Sequence, residues 1–183
     1  MRIVSGTHRG RRLNPPNNLP VRPTTDIAKE SLFNILNNYI DFEEVRVLDI
    51  FAGTGSISFE FASRGSTDIT SVDSNFRCID FIERTAVQFK MAQITAVRSD
   101  VFSFLKYSKN PYDIIFADPP FDMPDREKIV ELIFNNNLLK PDGYFIIEHS
   151  RDIDFSKHPN FSEMRKYGKV QFSFFVAANP VQA

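Results

Sequence analysis

The sequence predicts an α/β fold: a mostly parallel seven-stranded sheet with helices on both faces and an antiparallel C-terminal strand. Three observations carry this. Short apolar runs alternate with segments of helical period from Arg46 onward, the pattern of repeated βα units. Those runs are almost continuously apolar, as strands buried on both faces must be. The tail "FSEMRKYGKVQFSFFVA" has no helical period and centres on Tyr167-Gly168-Lys169, which predicts a hairpin.

The elements follow in order. "MRIVSGTHRGRRL" interleaves arginines with Ile3, Val4, Gly6, Gly10 and Leu13, which predicts a short hairpin. "NPPNNLPVRP", 14–23, is an irregular connector. A helix capped by Thr25 follows, with Ala28, Leu32, Ile35, Leu36 and Tyr39 at helical spacing. "RVLDIFAG", 46–53, is a strand entering a glycine loop, and "SISFEFASRG", 56–65, a helix closed by Gly65. Residues 67–75 form the second strand, and a helix runs from Phe76 to about Ala92. Residues 94–100 form a third strand and "VFSFLKY" a short helix. "YDIIFADPP" is the fourth strand, Pro124 starts the next helix, and "LKPDGYFIIEHS" turns at Asp142-Gly143 into the fifth. The whole is a Rossmann-like sheet, divided into a basic arm over 1–24 and a main domain over 25–183.

Composition narrows the function classes. The chain has 183 residues and a single cysteine, Cys78, which excludes an internal disulfide and fits a reducing cytosol. No run approaches a membrane span, and the N-terminus has no apolar signal core. A soluble, cytoplasmic, monomeric protein without a metal is expected. The net charge of −1 hides an asymmetry. Residues 1–25 carry five arginines (2, 9, 11, 12 and 22) and no acid; the remainder carries 17 basic and 23 acidic residues. A basic arm on an acidic body points to phosphate backbones.

The glycine loop "LDIFAGTGSIS", Leu48 to Ser58, follows a strand and opens a helix. Gly53 and Gly55 permit a tight turn and a close ligand approach. Ser58 stands where a dinucleotide fingerprint needs its third glycine, which counts against a nicotinamide or flavin cofactor. Asp73 ends the second strand, placed to bind vicinal ribose hydroxyls. Asp100 ends the third strand, either facing an adenine amino group or capping the next helix. Asp49 points a carboxylate at the loop. A cationic amino group suits it and pyrophosphate does not. S-adenosylmethionine has ribose, adenine and an ammonium but no phosphate, and fits these acids better than NAD.

"DPPF", Asp118 to Phe121, lies at the carboxyl end of the fourth strand, where open α/β sheets bind ligands. A planar exocyclic amine is a poor nucleophile because its lone pair is delocalised. Hydrogen bonds to the Asp118 carboxylate and to a carbonyl of the Pro119–Pro120 segment draw it toward sp³. The prolines hold those carbonyls rigidly and add no competing N–H. Phe121 stacks on the base. Such catalysis is orientation and electrostatics.

These residues resemble class I methyltransferases that modify amino groups. More closely, "RIVSGTHRGRRL" (2–13), "RPTTDIAKESLFN" (22–34), "DIFAGTGSISFEFASRG" (49–65) and "DPPF" (118–121) resemble, in order and spacing, the RsmD family. That family methylates N2 of a guanine in bacterial 16S ribosomal RNA. The resemblance implies that Asp49, Phe51, Ala52, Gly53, Gly55 and Asp73 hold S-adenosylmethionine and that Asp118 to Phe121 position guanine N2. It further implies that Arg22, Thr24 and Thr25 line the RNA side of the pocket. Arg2, Arg9, Arg11 and Arg12 then grip 16S rRNA within a small ribosomal subunit or an assembly intermediate. Two departures stand out. Ser58 replaces a glycine, altering how the first βα helix packs. Ile27 and Lys29 replace arginines, leaving fewer phosphate contacts.

Other readings share the amine geometry: an adenine-N6 DNA or glutamine-N5 protein methyltransferase, or a non-catalytic RNA-binding protein. The basic arm favours nucleic acid, and the intact Asp118, Pro119 and Pro120 favour an enzyme.

Overall fold

The structure, a computed structural model, describes residues 1–16, 19, 26–168 and 170–177. Arg22, Thr24 and Thr25, and with them the expected helix cap, lie outside the described residues.

Twelve elements follow the predicted alternation. They are α1 (Asp26–Leu36), β1 (Arg46–Ile50), α2 (Ser56–Arg64), β2 (Asp68–Asp73), α3 (Phe76–Phe89) and β3 (Ile94–Arg98). Then come α4 (Val101–Tyr107), β4 (Tyr112–Ala117), α5 (Arg126–Asn135), β5 (Leu139–His149), β6 (Phe161–Tyr167) and β7 (Val170–Val176). The strands form one seven-stranded sheet in the order β3-β2-β1-β4-β5-β7-β6. All pairings from β3 to β5 are parallel, whereas β7 runs antiparallel to both β5 and β6. One reversed strand therefore sits between two that run with the rest. The order turns back between β1 and β4, which opens a crevice beyond their carboxyl ends.

Two apolar layers cover the sheet. On one face Val47, Phe116, Ile146 and Phe174 pack with Leu32 and Phe33 of α1, Phe59 and Phe61 of α2, and Ile82 of α3. On the other, Ile50, Ile115 and Ile147 pack with Val101 and Leu105 of α4 and with Ile129 and Ile133 of α5. Alternate strand residues thus face opposite layers, and both are apolar, which explains the continuous runs.

The N-terminal hairpin is present, closed by an antiparallel bridge between Arg2 and Arg12. Ile3 and Leu13 are buried in the first layer. Its backbone is fastened to α2. Glu60 accepts from Val4 N (2.7 Å) and Ser5 N (3.0 Å), and Ser63 accepts from Thr7 N and His8 N. Gly6 lies so close to α2 that a Cβ there would meet the Ser63 carbonyl, and its φ of +78° suits only glycine.

Several boundaries differ from the sequence reading. Helix α5 begins at Arg126 rather than Pro124, because Asp125 takes φ +61° and breaks any earlier turn. Helix α3 ends at Phe89, where Lys90 adopts a left-handed cap at φ 56°. Strand β5 starts at Leu139 and passes through Asp142 (φ +63°), with a register shift against β4 between Tyr112 and Ile114. Tyr39 lies beyond α1, its ring 5.5 Å from that of Tyr144 on β5.

Lys29 is fully buried, so it offers no phosphate contact. Its ammonium donates to the Arg2 carbonyl (2.6 Å) and to Ser56 Oγ (3.1 Å), and lies 3.8 Å from the Glu60 carboxylate. Burial lowers its pKa, and Glu60 opposes that shift.

Candidate active site

The site is built where β1, β2 and β4 end. β1 leads into Phe51 (φ +61°), and the turn continues through Gly53 (φ +53°) and Gly55 (φ +71°) before α2 begins. Ala52 N donates to the Val72 carbonyl, which ties the turn to β2. Gly53 N donates to Asp73 Oδ2 at 2.8 Å, and Asn75 N donates to Asp73 Oδ1 at 2.8 Å. Each Asp73 oxygen is thereby held in place and retains lone-pair capacity for a hydroxyl.

A Cβ on Gly55 would lie 2.9 Å from Ile82 and 3.0 Å from the Phe59 ring, so helix packing and its left-handed backbone both require glycine there.

Asp49 is 2 % exposed. Its Oδ2 accepts from Ser58 N at 3.1 Å and from Ser58 Oγ at 2.5 Å, which caps the first turn of α2 from the neighbouring strand. Ser58 Oγ also bonds Ser71 Oγ at 2.7 Å. The serine in place of glycine thus adds a fully buried hydroxyl relay between β1, α2 and β2. Burial pushes the Asp49 carboxyl up to about 7; the Ser58 hydrogen bonds oppose that, and the nearby Asp118 and Asp73 carboxylates reinforce it.

Asp100 caps α4 through Oδ1, accepting from Ser103 N at 2.9 Å, and is exposed. An aromatic that the sequence reading passed over stands nearby. Phe76 opens α3 just beyond Asp73, is 57 % exposed, and lies under the Arg77 and Arg98 guanidiniums. Its signal was an apolar residue in the first turn of an otherwise polar helix start.

Asp118 follows β4 and is half-buried, Pro119 is buried, and Phe121 is 48 % exposed. The Pro120 carbonyl is engaged twice, by Met123 N (3.0 Å) and by an Arg126 guanidinium N–H (2.7 Å). Arg126 is also a residue that sequence reasoning missed. Its signal was a cation in the first turn of a helix, against the dipole preference. Here it pins the turn that carries Phe121.

The hairpin arginines separate into two groups. Met1 Sδ accepts from Thr54 Oγ1, so the hairpin's open end lies beside the glycine loop, with Arg2 and Arg12. Arg2 also approaches Asp26 at 4.0 Å. The hairpin tip instead lies at the far end of α2. There His8 bonds the Phe89 carbonyl, and Arg11 stacks over the Phe89 ring at 5.0 Å. A nine-residue helix spans about 13 Å, so Arg9 and Arg11 stand well away from the strand ends.

The family described as "Conserved hypothetical protein 95", the RsmD family, matches residues 1–176. The chain belongs to this family. A Haemophilus influenzae protein named "Ribosomal RNA small subunit methyltransferase D" is 35% identical over 156 residues, covering 83% of this chain and 80% of that one. Its Escherichia coli namesake is 32% identical over 148 residues, covering 81% and 74%. A solved structure titled "Putative methyltransferase yhhF from Escherichia coli" superposes with a TM-score of 0.85 at 29% identity, covering 98% of this chain and 99% of that one. The RsmD family has the Rossmann-like methyltransferase fold described above, and its cofactor is S-adenosylmethionine.

The residues fit that cofactor. Both Asp73 oxygens keep acceptor capacity that would suit ribose hydroxyls, and Asp49 is a buried acid that would suit an ammonium. Asp73 and Asp118 lie close enough to Asp49 to raise its carboxyl further, an acidic setting that suits a cation better than a pyrophosphate.

Proposed function

We propose that this protein transfers a methyl group from S-adenosylmethionine to the exocyclic N2 amine of a guanine in 16S rRNA. The observation that carries the reading is the placement of Asp118 within electrostatic reach of Asp49, on adjacent strand ends at the sheet's crevice. The amine-binding motif and the cofactor loop thus share one pocket. The names of the Haemophilus and Escherichia relatives support ribosomal RNA as the substrate.

The bound cofactor supplies an electrophilic methyl on a sulfonium. Asp118 accepts one N2–H. The Pro120 carbonyl is engaged by Met123 and Arg126, so the Pro119 carbonyl is the one that accepts the other. These bonds draw the nitrogen lone pair out of the ring system and toward the methyl. The bound cofactor would give up this methyl to the nitrogen, the C–S electron pair staying on sulfur as a thioether. The methylated nitrogen, now acidic, sheds a proton through Asp118 to water. An ordinary aspartate, with pKa about 3.9, is sufficient for that late transfer. Phe121 stacks on the base and resists its return to the RNA.

Arg2 and Arg12 hold phosphates beside the pocket. The substrate is a small subunit or an assembly intermediate, and the enzyme acts as a cytoplasmic monomer. Mapping methylated guanosines in 16S rRNA from cells with and without the protein tests the reading. One N2-methylguanosine should vanish with the gene and return with it. An unchanged map would overturn the substrate assignment.

A further inference from the structure

Glu148 lies at the end of β5, next to the strand that ends in Asp118. Strands β4 and β5 pair in parallel, with Phe116 opposite Ile146 and Ala117 opposite Ile147. The next residue on each strand is Asp118 and Glu148. Phe116, two residues before Asp118, faces the layer that α1 and α2 cover, and so does Phe172, which pairs with Glu148. Glu148 therefore stands on that side of β5, and Asp118, one residue past the end of β4, continues the alternation that puts Phe116 there, on neighbouring strands about 4.8 Å apart. Asp49 lies on the same face one row back, opposite Phe116. Across the crevice the order is therefore Asp49, Asp118, Glu148: cofactor acid, amine acid, and one more. Glu148 is only 5 % exposed, an uncommon environment for a glutamate at a strand end.

We propose that Glu148 accepts the ring N1–H of the target base and so selects guanine among amine-bearing substrates. This rests on the N2-methylation reading above and deepens it. Guanine carries N1–H immediately beside its N2 amine, so two donors lie in a row. Adenine and 2-aminopurine place a ring nitrogen lone pair beside the amine, and a glutamine amide places a carbonyl there. An ionised carboxylate only accepts hydrogen bonds, so it binds the first arrangement and repels the others. With Asp118 on the amine and the cofactor on its β1 side, the next strand outward is where N1–H falls.

The test uses the full chain and small subunits reconstituted with 16S rRNA carrying either guanine or 2-aminopurine at the modified position. The wild-type protein should methylate guanine more efficiently by at least about tenfold in kcat/KM, the cost of one charged hydrogen bond. Glu148→Gln should lower guanine methylation by about 10- to 100-fold and narrow the guanine/2-aminopurine ratio, with S-adenosylmethionine affinity unchanged. Glu148→Asp keeps an acceptor and should retain the preference with a raised KM. Loss of cofactor binding in Glu148→Gln would mean a folding defect, and the Glu148→Asp ratio then decides. A ratio unchanged in Glu148→Gln, or lost in a folded Glu148→Asp, overturns the role of Glu148. A wild-type protein that methylates neither RNA instead overturns the N2-methylation reading.

Discussion

Ser58 donates twice to one oxygen of Asp49, through its hydroxyl at 2.5 Å and its backbone N–H at 3.1 Å. Both bonds favour the ionised acid against the burial that pushes it up to about 7. Ser58→Ala removes the stronger donor, so the Asp49 pKa should rise further. Cofactor binding through an ionised Asp49 should then need a higher pH. Titration calorimetry across pH 6 to 8.5 should show the affinity midpoint displaced upward in the variant; coincident profiles would disconnect Asp49 from the ammonium.

The same acid sets a stability trend without cofactor. Its folded pKa of about 7 lies above the ordinary aspartate value of 3.8. Its contribution is therefore fully present below about pH 4 and lost as pH rises through 7. The loss is at most about 4 kcal/mol. Asp49→Asn cannot titrate, so its melting temperature should fall less than the wild type's between pH 5 and pH 8.

Glu60 holds the hairpin to the domain. It accepts from Val4 N, Ser5 N and Arg64 Nε (2.9 Å), and faces the buried Lys29 ammonium. Glu60→Gln leaves Lys29 buried beside a neutral group. The expected cost is ~3–5 kcal/mol, with faster proteolysis between Val4 and Gly10. A melting temperature within a degree of the wild type's would contradict this account.

The separation of the arginines gives distinct binding phenotypes. Removing Arg9 and Arg11 should lower the slope of log affinity against log salt by about 1.5 to 2, with turnover at saturating RNA unchanged. Removing Arg2 and Arg12 should lower the slope and also turnover. Equal phenotypes would mean that RNA does not distinguish the two ends of the hairpin.

Arg126 donates to the Pro120 carbonyl at 2.7 Å, fixing the turn from a distance. Arg126→Gln should reduce kcat about tenfold, the effect of one misplaced positioning contact of ~1.4 kcal/mol, with cofactor affinity intact. An equal change in RNA KM alone would make it a binding residue.

Much of the site was legible in the chain because its parts are local. A strand, a turn needing positive φ and a helix occupy twenty consecutive residues, so "DIFAGTGSIS" declares itself. Asp73 ends β2 as the strand pattern predicts, where it accepts a hydrogen bond from Gly53 N. Remote partners left no mark in the local sequence. Lys29 pairs with Glu60, 31 positions later in the chain. Gly55 packs against Ile82 and Phe59.

The sequence by itself determined the βα order, the glycine turn, the strand-end acids and the "DPPF" motif. Each depends on backbone propensities and side-chain period within a few residues. Only the tertiary structure decided which way the hairpin runs along α2, and so which arginines reach the crevice. It also decided that Ser58 serves Asp49 and that Glu148 follows the last residue pair between β5 and the strand leading into Asp118. Those relations depend on which surfaces meet when helices pack and strands take their register, and no local stretch of chain carries that information.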